Sequence, residues 1–189
     1  MAFLRRMERM GMAGGEDFAG QWREGVRLVT QAYLAAPEPL RVRLREIAAG
    51  LKETKCAMQA LVARVDAAAH CAGCGGECCV AGKYHFTKAD LLVYLADGEP
   101  LFAPLFGNGL CPNLGCQGCL IPTAYRPFNC ITFNCELIED LLPGEELASF
   151  YRMERELRLR YGELRSLFPE QTMYGALLTE LPPQAQVTG

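Results

Sequence analysis

Nine of the chain's ten cysteines fall between Cys71 and Cys135, and only Cys56 lies outside that stretch. Within it, Gly and Pro recur every few residues, and a helical period survives only once. A segment of this kind has too few apolar contacts to hold its shape by burial alone. A bound metal supplies the missing folding free energy, of order 10 kcal/mol in small structural zinc sites. Disulfides are the poorer explanation. Arg5, Arg6 and Arg9 precede no apolar run, so no signal peptide is expected and the chain reads as cytoplasmic, where thiols stay reduced.

The 189 residues suffice for one compact domain, and with half of them apolar they can bury a core. No stretch approaches the ~20 apolar residues of a membrane-spanning helix, so no membrane association is expected. Charge is graded along the chain. Residues 1–70 carry 11 basic and 8 acidic side chains, 71–135 carry 3 and 4, and 136–189 carry 5 and 10. Only Lys83, Lys88 and Arg126 are basic within the cysteine region, too few to neutralise several phosphates, so nucleic acid is not an expected partner.

The flanks read as amphipathic helices. Trp22, Val26, Val29 and Tyr33 repeat at spacings of four, three and four, and Pro37 and Pro39 end that run. A second stripe, Leu40, Leu44, Ile47, Leu51, Met58, Leu61 and Val65, predicts one long helix to about Ala69, interrupted only at Thr54 or Lys55. Leu137–Leu142 reads as a short helix closed by Pro143-Gly144. A longer one carries Leu147, Phe150, Leu157, Tyr161, Leu164 and Phe168 on one face and Glu156, Arg160 and Glu163 on the other. These stripes read as core, ahead of a groove for a protein partner. Inside the cysteine region, Thr87-Lys88-Ala89-Asp90 opens a two-turn helix with a capping box. The expected fold is therefore mainly α: a helical segment 1–70, an irregular Cys-rich metal-binding core of loops and a short helix at 71–135, and a C-terminal helical segment 136–189 packing on the same domain.

The spacing of the cysteines specifies candidate ligands. Cys71, Cys74, Cys78 and Cys79 form C-x2-C-x3-C-C, in which a C-x2-C turn aims two thiolates at one ion and glycines at 73, 75 and 76 allow a tight backbone. The second group is Cys111, Cys116, Cys119, Cys130 and Cys135. Of these, Cys111, Cys116 and Cys119 have the C-x4-C-x2-C spacing of plant-type iron–sulfur loops, which leaves Cys116 undecided. Cys56, beside alanines on a helix, reads as a small buried hydrophobe.

The string C-x2-C-x3-C-C resembles the opening of the CxxCxxCC cysteine-cluster family, zinc- or iron-chelating domains. Cys111-Pro112-Asn113-Leu114 is similar to its C-P-x-L element. Cys119-Leu120-Ile121 with Tyr125-Arg126-Pro127-Phe128-Asn129-Cys130 is similar to its C-x-I-Y-x-x-R-P-x-x-C element, and Thr87–Leu91 to its T-x-x-D-L helix start. Three departures stand out: an extra residue before the Cys doublet, a tyrosine displaced from Cys119, and the additional Cys116. The resemblance covers about a third of the chain and implies eight metal-ligating cysteines: Cys71, Cys74, Cys78, Cys79, Cys111, Cys119, Cys130 and Cys135.

Arg126 has an electrostatic reason to stand beside such a centre. Four thiolates leave zinc or a [4Fe–4S] group anionic, and a guanidinium offsets that charge without competing for the metal. His70 and His85 flank the first cysteines and read as supporting or surface residues. The C-x2-C-G knuckle favours zinc, whereas all-Cys ligation, the Cys-Pro pair and flanking aromatics favour an iron–sulfur cluster, the slightly preferred cofactor. The expected function is a metal-binding cysteine-cluster protein with a structural or redox role. The alternative is an enzyme similar to the S-adenosylmethionine-dependent flagellin lysine N-methylases, against which stands the lack of any glycine-rich strand-to-helix turn for that cofactor.

Overall fold

The protein is described by a computed structural model covering residues 17–74 (71–74 as backbone), 82–106, 111–115, 118–168 and 172–179. It is mainly helical. The elements in chain order are α1 (Phe18–Ala35), α2 (Glu38–Ala63), α3 (Ala67–Cys74), α4 (Lys88–Asp97), β1 (Leu114–Gly115), β2 (Gly118–Cys119), a 3-10 turn (Thr123–Tyr125), α5 (Phe128–Thr132), α6 (Glu136–Glu139) and α7 (Gly144–Ser166).

The apolar stripes meet where their periodicity places them. Trp22 and Val29 of α1, Leu44, Ile47, Leu51 and Met58 of α2, and Phe150, Leu157, Tyr161 and Leu164 of α7 are all buried in one cluster. α2 and α7 pack along each other. Arg43 of α2 pairs with Glu163 of α7, and Arg160 of α7 lies against Gly50, where a Cβ would come within 2.1 Å of its guanidinium.

The centre of this cluster is α4. Thr87 caps it as expected: the Asp90 backbone N–H donates to Thr87 Oγ1, and the Thr87 backbone N–H donates to Asp90 Oδ2 at 2.9 Å. The helix runs ten residues rather than two turns, and it is covered almost all round, with Ala89 through Tyr94 and Ala96 buried. It ends at Gly98, whose φ of 67° is a left-handed cap that favours glycine. The cysteine region thus contributes a core helix as well as loops. An aromatic group of Trp22, Phe86, Tyr94 and Phe102 seals α4 against α1, with ring centroids 5.3–6.1 Å apart. A final strap crosses the start of α4: the Leu177 N–H donates to the Phe86 carbonyl and the Lys88 N–H to the Gly175 carbonyl.

The long second helix differs from expectation. It stops at Ala63, the chain turns through Asp66 at φ 52°, and α3 begins at Ala67. Aspartate is among the few residues that adopt left-handed backbone without prohibitive strain. Cys56 also differs. It is exposed, because the inward positions of α2 at this point are Thr54, Lys55 and Met58.

Candidate metal centre and the buried charge beside it

Cys111, Cys119 and Cys130 come from three separate segments and line one cavity of about 410 Å³. The two-strand ribbon does the first part of this. Leu114 pairs with Cys119 and Gly115 with Gly118, folding Cys119 back toward the chain leaving Cys111. The Leu114 N–H donates to the Cys111 carbonyl and the Leu120 N–H to the Asn113 carbonyl, which fixes both ends. Cys130 arrives from the other side on α5, whose first turn is set by Pro127. Leu114, Ile121 and Phe133 give the cavity apolar walls, and Arg126, His85 and Asn113 add polar groups.

Two of these polar groups are held by described contacts. Arg126 Nε donates to the Ile121 carbonyl at 3.2 Å, and its Nη1 lies 3.4 Å from Gln59 Oε1 on α2. His85 Nδ1 lies 3.5 Å from Cys130 Sγ, and burial lowers the imidazole pKa, which keeps the ring neutral and able to accept or ligate. Cys111 is buried, and burial pushes its thiol pKa up, opposed by the Asn113 backbone N–H. Asn113 Oδ1 is buried with no hydrogen-bond partner among the described residues, an unmet polar atom in the same wall. Thiols, an imidazole and an apolar shell suit a thiophilic metal or cluster.

The other candidates are placed differently. Cys135 caps α6, is exposed, and is not in the cavity lining. Cys71 and Cys74 lie in the last turn of α3, so the C-x2-C segment is helical rather than a loop turn. His70 is on the same helix. Cys78, Cys79 and Cys116 lie outside the described residues. Among the described residues no three His, Cys, Asp or Glu side chains stand together as a ready metal site.

What sequence reasoning passed over is a buried charge behind this cavity. Lys55 has no exposed surface, and its Nζ lies 3.8 Å from Asp90 Oδ1 and 5.2 Å from the centre of the Tyr161 ring, with no hydrogen-bond partner among the described residues. Asp90 is satisfied more fully. It accepts from the Thr87 N–H, from Thr87 Oγ1 at 2.6 Å and from the Tyr161 hydroxyl. Burial lowers the Lys55 pKa to about 8, against the pull of Asp90 and, more weakly, of Cys130 and Cys56. Burial also raises Tyr161 well above the usual phenol range, so it remains a donor. One signal was available: Lys55 stands four residues after Leu51 and three before Met58, an inward position on the α2 stripe.

Compared with known proteins, the chain matches no family model, no curated protein and no solved structure. Among the described residues no helix is long and apolar enough to cross a membrane.

Proposed function

We propose that this chain is a metal-binding cysteine-cluster protein of the CxxCxxCC kind, with an iron–sulfur centre slightly favoured over zinc and a structural or redox role. The observation that supports it is the convergence of Cys111, Cys119 and Cys130, three segments apart, on one cavity with Arg126 at its wall. Those cysteines would hold the group, with Cys71, Cys74, Cys78, Cys79 and Cys135 as the further ligands the family pattern implies. An iron–sulfur centre would supply one-electron transfer, and zinc a cross-link between loops. The chain's own contribution is electrostatic and steric. Arg126 would bring a fixed positive charge to an anionic centre, and Leu114 and Ile121 would give it apolar walls.

Anaerobic purification with metal and acid-labile sulfide analysis tests the reading. Bound iron with sulfide supports the preferred branch, and bound zinc without sulfide the other. Protein that is full-length, folded and free of both metals would refute it. The methylase alternative predicts a saturable calorimetric titration with S-adenosylmethionine; the cluster reading expects none from this chain alone.

A further inference from the structure

A second cavity, of about 260 Å³, lies on the other side of His85 and Asn129 from the cysteines, and these two residues line both. Its remaining described lining includes Thr87, Phe128, Tyr161, Met173 and two arginines of α7, Arg158 and Arg165. Arg158, Tyr161 and Arg165 are spaced three and four apart, so they share one face of α7. The guanidiniums reach one cavity from positions about 10 Å apart along the helix.

The hydrogen bonds around this cavity give it its sign. The hydroxyls of Thr87 and Tyr161 both donate inward to Asp90, so that carboxylate is consumed behind the wall. No carboxylate is among the described lining residues. Arg158 does have a partner, Glu154 at 2.7 Å, but its side chain is 64% exposed, and a surface pair of this kind is worth little. Arg165 donates from Nε to the Tyr161 carbonyl and lies over the Tyr161 and Tyr174 rings, with no carboxylate partner among the described residues. The charged groups in the described lining are therefore the two guanidiniums, joined by the polar Asn129 and His85, between apolar walls of Phe128, Tyr161 and Met173. Arg158 is itself stacked on Phe128, 4.9 Å from the ring centre, which limits how far it can swing away.

We infer that this cavity binds a small organic anion, a carboxylate or phosphate head on an apolar body, with Arg158 and Arg165 as its counter-charges. A guanidinium fork matches either head in a bidentate geometry, and the aromatic walls take the body. The site does not depend on the proposed metal, although a ligand in it would touch the His85 that separates the two cavities.

The test is titration of the full chain with benzoate, phenyl phosphate and the neutral benzyl alcohol, read by calorimetry and by amide NMR shifts at Asn129 and Gly175. The expected result is saturable millimolar or tighter binding of at least one anion, and no binding of benzyl alcohol. Preference for benzoate assigns a carboxylate ligand and preference for phenyl phosphate a phosphate. Arg165→Gln should weaken binding about tenfold, the loss of one charge-assisted bond. Because Arg165 also packs on two rings, the exposed Arg158→Gln serves as the second variant and should weaken binding likewise. Arg160→Gln, which removes the pair with Glu156 and the contact with Gly50 but lies outside the cavity lining, should not. Binding of neither anion at millimolar concentration, equal binding of benzyl alcohol, or indifference to Arg158→Gln and Arg165→Gln would overturn the inference.

Discussion

Lys55 and Asp90 are unequal partners. Asp90 has three hydrogen-bond donors besides the lysine, whereas among the described residues Lys55 Nζ has a carboxylate at 3.8 Å and the face of Tyr161. Removing Asp90 therefore strands a buried cation, while removing Lys55 leaves a carboxylate still well solvated by the protein. Asp90→Asn should cost about 3–5 kcal/mol and Lys55→Met distinctly less, with a small gain possible for a well-packed apolar replacement. Urea melts of the two variants at pH 7 decide it; an equal or reversed order would show that Lys55 is the better satisfied group. The lowered Lys55 pKa adds a pH signature. Between about pH 8 and the ordinary lysine value near 10.4, the unfolded chain binds the extra proton, so stability rises with pH across that window. Cys111 and Tyr161, whose raised pKa values act in the opposite sense at the alkaline end, are common to both proteins. The stability difference between wild type and Lys55→Met should thus shift toward wild type from pH 8 to pH 10. A flat difference would show that Lys55 is charged equally in both states.

At the scale of elements, two glycines face opposite outcomes on gaining a methyl group. Gly25 of α1 packs on the buried Leu177, whose Cδ2 would lie 2.6 Å from a new Cβ. Gly25→Ala should overpack this contact and cost about 1–3 kcal/mol. Gly50 faces only the far end of Arg160, which can move, so Gly50→Ala should be neutral or stabilising by up to about 1 kcal/mol through helix propensity. Thermal denaturation of both variants is the measurement, and destabilisation by Gly50→Ala would mean that Arg160 is held rigidly. Most of the elements were legible from periodicity: Trp22 to Tyr33, Leu44 to Met58 and Leu147 to Phe168 lie where a period of 3.6 puts them, and Thr87 with Asp90 announced its cap. Three things were not legible. Periodicity carries no information about a single left-handed residue, so the break at Asp66 was missed. Cys56 misled because its neighbours suggested burial, whereas the facing of α2 is set by Leu51, Thr54, Lys55 and Met58. Lys55 reads in sequence as an interruption of the stripe, since its compensating carboxylate lies 35 residues away.

For the molecule as a whole, most of the apolar core lies in α1, α2, α4 and α7, and Ile121 and Ile131 tie the cysteine cavity to its edge. The Cys111–Cys119 ribbon and α5 are short by comparison. Chelation should therefore speed hydrogen exchange in the segments carrying Cys111, Cys119 and Cys130 while leaving α2, α4 and α7 protected. Unchanged exchange around the cavity would mean that packing alone orders it. The convergence of these three cysteines could not be read from spacing, because it depends on the two-strand pairing and on where α5 docks. The central claim is that they hold a metal, and it is tested most directly by metal content per chain in anaerobically purified wild type, Cys130→Ser and Cys56→Ser. The account predicts metal in wild type and in Cys56→Ser, and its loss from Cys130→Ser. Metal retained by Cys130→Ser but lost from Cys56→Ser would contradict it.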